Sequence, residues 1–189
     1  MGRFIRERLV REDVIIDGVK VDKDRLTALV LLAVEVEGVS PDAARTSGRE
    51  LLIEIIAGKD GPIDESTVAR VIQRLHDLKI RPDWWKLEPN EDPAAWRGIE
   101  ETILRNDIYC RGILLLGLDA PAPQLRQSFR AAKSSKLVKG FAIGRTIFGE
   151  AATRWFAGSM TDEEAVADMA HRFQSLTRAW EEAVQHEAA

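Results

Sequence analysis

From residue 50 onward, short apolar runs alternate with segments whose apolar positions fall three and four apart. Leu51-Leu52-Ile53-Glu54-Ile55-Ile56 is nearly continuous, as expected of a strand covered on both faces. Residues 58 to 62 form a loop, and Asp64 is placed to cap a helix reaching about Leu78. Val68, Val71, Ile72 and Leu75 make its inner face. A second strand follows over Asp83 to Glu88. Asp92-Pro93 then opens a helix with Pro at its first position. Its inner face is Trp96, Ile99 and Ile103, with Leu104 at the margin. The third strand spans Cys110 to Leu118, and Pro121 or Pro123 starts a helix that turns Leu125 and Phe129 inward. The fourth runs from Leu137 to Ile143 and ends in a glycine-rich turn, Gly140 to Gly144, before a helix over about 146–157 that Gly158 stops. Thr161-Asp162-Glu163-Glu164 has the form of a capping box. The last helix is expected to bury Val166, Met169, Phe173, Leu176 and Trp180.

Four strands alternating with helices predict an α/β fold with a parallel sheet and right-handed crossovers. Such sheets carry their reactive groups at the C-terminal ends of the strands. Residues 1–42 read differently. Val14 to Val21 predicts a hairpin about Asp17-Gly18, Asp22 is placed to cap a helix reaching about Glu37, and Ser40 to Thr46 suggests another short helix. The expected organisation is an N-terminal hairpin and helix segment over 1–42, then an α/β unit over 43–189.

Composition narrows the function. The chain has 189 residues, 45% of them hydrophobic, and a net charge of −4 with no basic block, which argues against nucleic acid as a partner. One cysteine, Cys110, cannot form an internal disulfide, and this fits a reducing cytoplasm. Cys110 and three scattered histidines make no zinc spacing, so neither metal nor cofactor is expected. The N-terminus lacks the apolar core of a secretory signal, and the stretch from Ala28 to Val36 is too short to span a bilayer.

Lys86 stands between Trp84-Trp85 and Leu87 in the second strand. Burial without a partner disfavours an ammonium, and a neutral lysine amine can form a Schiff base with a carbonyl. The alternative is a structural lysine paired with Glu54 or Glu88. Side chains two apart share a strand face, so Lys86 and Glu88 point the same way. Glu54 meets Lys86 if both strands turn those faces to a barrel interior. A carboxyl beside such an amine can relay protons during carbinolamine formation and C–C cleavage. Gly140 to Gly144 with Arg145 reads as an anion site, in which backbone N–H groups, a helix N-terminus and a guanidinium converge, with Gly117 ending the neighbouring strand. The tryptophans at 84, 85, 96, 155 and 180 read as packing, and Cys110 as a small buried apolar residue.

Arg49 to Ile56, Pro82 to Pro89, Tyr109-Cys110-Arg111-Gly112 through Asp119, and Val138 to Phe148 match, in order, motifs of a known domain. Over about residues 43–183 the chain resembles the aldolase-like domain fused behind the sugar kinase in bacterial 5-dehydro-2-deoxygluconokinases of myo-inositol catabolism. More distantly it is similar to class I aldolases of the tagatose-bisphosphate and sulfofructose-phosphate type. The resemblance implies a TIM-type barrel in which Lys86, in its Lys-x-Glu context, forms the Schiff base. It implies Glu54 as acid/base, with Gly140, Gly144 and Arg145 holding the substrate's anionic group. It also implies a lyase cleaving a phosphorylated keto-sugar acid of the 2-deoxy-5-keto-gluconate 6-phosphate type into dihydroxyacetone phosphate and malonate semialdehyde.

The chain departs from that family in extent. The family domain is an eight-stranded barrel, and only its last four βα units have counterparts here. The upstream strand lysine of those aldolases has none. The expectation is therefore a partial TIM-type barrel, in which Lys86, Glu54 and Glu88 carry the chemistry and Gly117, Gly140, Gly144 and Arg145 grip the phosphate. A second copy or a partner chain would complete the barrel. The alternatives are a truncated non-catalytic fragment or assembly module, and a phosphosugar-binding module.

Overall fold

The structure, a computed structural model, describes residues 48–57, 64–117 and 120–185, together with 15–16, 19–20, 44 and 46. Strands β1 (Ile15–Ile16) and β2 (Val19–Lys20) pair antiparallel, the pairing expected of a hairpin between Val14 and Val21, whose turn lies outside the described residues. The helix expected from Asp22, residues 40–43 of the helix expected over Ser40 to Thr46, and the proposed boundary at 42 lie outside the described residues, while Ala44 and Thr46 are helical.

The rest is an α/β unit. Its elements are β3 (Leu52–Ile55), α1 (Thr67–Asp77), β4 (Trp84–Leu87), α2 (Pro93–Asn106), β5 (Gly112–Leu116), α3 (Ala122–Ala132), β6 (Val138–Ala142), α4 (Arg145–Phe156) and α5 (Asp162–Gln185). The four long strands form one parallel sheet in sequence order, β3-β4-β5-β6. Consecutive order without a reversal is barrel winding, whereas a doubly wound sheet turns back at a switch point. The expected partial TIM-type arrangement of four βα units is therefore the observed fold.

One face of this sheet carries the core. Ile53, Ile55, Trp85, Leu87, Ile113 and Leu115 are buried against Val68, Ile72 and Leu75 of α1, Trp96, Ile99 and Ile103 of α2, and Leu125 and Phe129 of α3. Phe141 stacks on Phe129 at 5.3 Å, and Trp180 of α5 meets Phe129 edge-on at 5.4 Å. The opposite face, with Leu52, Glu54, Trp84 and Lys86, is only half-buried. The expectation that the first strand is covered on both faces is thus corrected. Its apolar run includes residues for two surfaces, of which the helices cover one.

The helix ends follow their local chemistry. Asp92 Oδ1 accepts from the Ala94 N–H with Pro93 at the first position. Thr161 and Glu164 exchange the two bonds of the capping box. Gly158 takes a left-handed φ of +67° just beyond α4. Three expectations fail. Asp64 does not cap α1. The cap position is Ser66, and Asp64 instead organises the turn before it, accepting from the Ser66 N–H and the Thr67 hydroxyl. Leu104 is exposed on α2. On α5 the buried line is Ala165, Leu176, Ala179 and Ala183, while Val166 and Phe173 face outward. The apolar stripe of α5 is wider than the surface under it, and the small residues take the close contact.

Candidate functional site

β3 and β4 run in parallel register with Glu54 opposite Lys86. Both are third in four-residue strands, so both project near the C-terminal edge, from the face away from the helices. Lys86 Nζ lies 2.8 Å from Glu54 Oε1, with the side chains 25% and 13% exposed. A lysine activated by desolvation has to be buried without a partner. That premise is not met: Lys86 is a quarter open to solvent and has a carboxylate at hydrogen-bond distance. The structure does bring the two expected groups together.

Glu88, the third member of the expected set, is buried just past the end of β4. Its Oε1 accepts from the Ala57 N–H at 2.9 Å, which ties the segment after β3 to the end of β4.

The anion corner is built differently from the turn the sequence suggested. Gly140 is a strand residue of β6, paired with Leu114, and only residues 143 and 144 connect β6 to α4. Gly144 holds the cap position of α4, and Arg145 begins the helix. The first turn of α4 has no acidic residue, so nothing in it opposes the positive end of the dipole. Gly117, at the end of β5, is buried. A Cβ there would meet Ile143 Cγ2 at 2.9 Å and Thr146 Oγ1 at 3.1 Å. Gly117 thus admits the first turn of α4 against the sheet rather than offering open backbone to a ligand. The buried Thr146 hydroxyl oxygen has no hydrogen-bond partner among the described residues. It was missed because a threonine in a first helical turn carries no sequence signal beyond packing.

The remaining sequence readings divide. Trp85 and Trp96 are fully buried and Trp180 packs on the core, whereas Trp155 is exposed and donates from Nε1 to Asp162 Oδ1 at 2.6 Å. Trp84 donates from Nε1 to Glu50 Oε2 at 2.6 Å. Cys110 is half-buried, and burial pushes its thiol up to about 11, which leaves it a poor nucleophile. Among the described residues no cluster of His, Cys, Asp and Glu is arranged to hold a metal, and no helix is long and apolar enough to cross a membrane.

At the other end of the sheet, Gly48, Arg49, Glu50, Arg81, Pro82, Asp83, Asp107, Tyr109 and Arg111 line a cleft of about 470 Å³. Within it Arg111 bridges to Glu50 at 2.9 Å and to Asp83 at 3.9 Å, and Asp83 Oδ2 accepts from the Leu51 N–H at 2.8 Å. These bonds tie together the starts of β3, β4 and β5. In this winding the N-terminal end serves stability and the C-terminal end chemistry.

A family model described as an uncharacterized protein conserved in bacteria (DUF2090) matches residues 34–184. No curated protein matches the chain.

Proposed function

We propose that this chain, which belongs to the DUF2090 family, is a class I lyase acting through a Schiff base on Lys86. The observation that carries the reading is the 2.8 Å contact between Lys86 Nζ and Glu54 Oε1, near the C-terminal edge of a parallel sheet and on its helix-free face. Attack on a ketone needs the amine form of Lys86, and Glu54 is placed to take the departing proton. The same carboxyl then returns a proton to the carbinolamine oxygen, which leaves as water and gives the iminium. In the cleavage step the C–C bond breaks and its electron pair moves into the iminium, forming an enamine, while a carboxylate accepts the substrate hydroxyl proton. The deprotonated hydroxyl carbon leaves as the aldehyde product, the carboxylate passes its proton to the enamine carbon to restore an iminium, and addition of water to that iminium releases the ketone product and regenerates Lys86.

The substrate class is a phosphorylated keto-sugar acid, as the aldolase-like motifs suggest. Arg145 and the N-terminal end of α4 supply the positive potential for its phosphate, with Gly144 at the helix cap allowing close backbone approach. A second copy or a partner chain completes the barrel around the site, and the setting is cytoplasmic. The ion pair itself favours a second reading, a phosphosugar-binding module in which Lys86 and Glu54 only satisfy each other.

Borohydride reduction in the presence of a phosphorylated keto-acid, followed by peptide mass analysis, separates the two. The lyase predicts an adduct on Lys86 that Lys86→Met abolishes. A folded protein that shows a phosphate-dependent thermal shift and no adduct is the binder.

A further inference from the structure

The sheet is half of something. Its strands run in consecutive order, its helices all cover one face, and among the described residues β3 and β6 each have a neighbour on one side only. Open edges of this kind are association surfaces unless they are covered. A parallel ring wound in this way closes at eight strands, and the described residues supply four of them.

The helix layer is unfinished on the same flank. Packing runs α1 to α2 to α3 to α5 to α4, so α4 is the outermost helix, opposite α1. Of its twelve residues only Ala151 is buried. Phe148, Trp155 and Phe156 are exposed, Phe156 by 81%, and Val166 and Phe173 on the neighbouring α5 are exposed as well. A helix of this length draws most of its stability from a buried face, and the described residues cover very little of this one. An exposed aromatic patch beside an open strand edge marks a partner surface.

We infer that two copies of this chain close head to tail into one eight-stranded ring. β6 of each copy adds to β3 of the other, continuing the same parallel ladder, and the aromatic face of α4 is covered by the partner's helix layer. A second copy is the occupant that fits, because it brings four strands, a free β3 edge in the sense that β6 requires, and a helix layer of the same depth. The inference deepens the lyase reading by naming what completes its site. Two Lys86–Glu54 pairs would then open into one shared mouth.

Light scattering and sedimentation of the full chain should give a dimer of twice 21.2 kDa. Phe156→Glu should shift it toward monomer while the far-ultraviolet circular dichroism is kept. Cross-linking an equimolar mixture of isotope-labelled and unlabelled chains should join β6 peptides of one copy to β3 peptides of the other. A monomer at every concentration overturns the inference. So does a dimer that ignores Phe156→Glu, or cross-links from β6 to residues 1–43 of the same copy. Borohydride trapping on the same samples keeps the two claims apart. A monomer that still traps substrate on Lys86 removes the ring and leaves the lyase, and a dimer that never traps does the reverse.

Discussion

At the scale of single residues, the Lys86–Glu54 pair has to be tested against its own structural reading. A bare ion pair predicts that Lys86→Met and Glu54→Gln both act through stability. The lyase predicts a split: Lys86→Met removes the adduct altogether, while Glu54→Gln keeps trapping possible and slows turnover by roughly 10²–10⁴-fold. Single-turnover rates beside thermal melts make the distinction. His76 carries a different kind of information. It is fully enclosed, 5.7 Å from the Trp85 ring, and neither ring nitrogen has a hydrogen-bond partner among the described residues. Burial, with a smaller contribution from Arg81, holds its pKa below the usual histidine value against the pull of Asp107 and Asp77. The unfolded chain therefore binds the proton more readily than the fold does. Proton binding by the unfolded chain at His76 costs no stability above about pH 6.5, and stability falls as pH drops from there toward the lowered folded value. His76→Leu should flatten that slope, read as the denaturant midpoint at neutral against mildly acidic pH. If the slope is unchanged, His76 is not the group responsible.

At the scale of elements, the legible features were those with a local cause. The parallel strands, Pro93 at a helix start, the Thr161–Glu164 box and the Gly158 stop each depend on a few adjacent residues. They were read within a residue or two of where they stand. The misread features depend on what lies across the sheet. Gly140 stood in both the strand expected over Leu137 to Ile143 and the turn expected over Gly140 to Gly144, and β6 runs through it, so the strand holds and the turn shrinks to residues 143 and 144. The pairing of Gly140 with Leu114, not its own propensity, sets its conformation. Val166 and Phe173 suggested a core because periodicity reveals an apolar stripe but not its cover. Lys86 suggested a dry amine because its indole neighbours are visible in the sequence, whereas the openness of its sheet face is not. The requirement at Gly112 was equally invisible. It opens β5 at a φ of +154°, and an added Cβ would stand 2.8 Å from the Leu137 carbonyl oxygen. That oxygen accepts from the Ile113 N–H, so it cannot move aside without cost. Gly112→Ala should destabilise by roughly 1–3 kcal/mol or more, measured by denaturant unfolding. An unchanged midpoint would mean that the start of β5 is free to shift.

At the scale of the whole molecule, the lyase reading requires the two ends of the sheet to divide the labour, and this division can be tested. The C-terminal end holds Lys86, Glu54, Glu88 and the start of α4. The N-terminal end holds a polar seam in which Trp84 donates to Glu50, Arg111 bridges Glu50 and Asp83, and Asp83 takes the Leu51 N–H. The Arg111 bridges are about half exposed and contribute about 0–1 kcal/mol. The Asp83 bond to the backbone matters more, because Leu51 is buried and its amide would be left without an acceptor. Asp83→Ala should therefore cost roughly 1–3 kcal/mol of stability. Asp83 is three residues from Lys86 but at the far end of β4, so the 2.8 Å contact with Glu54 is set by the strand register rather than by the seam. Asp83→Ala should accordingly lower the unfolding midpoint and leave the rate of trapping on Lys86, below that midpoint, close to the original. Lys86→Met should do the opposite. If Asp83→Ala slows trapping in a protein that is still folded, the seam is setting the register of β3 on β4. The division between a stabilising end and a reacting end would then fail for this chain.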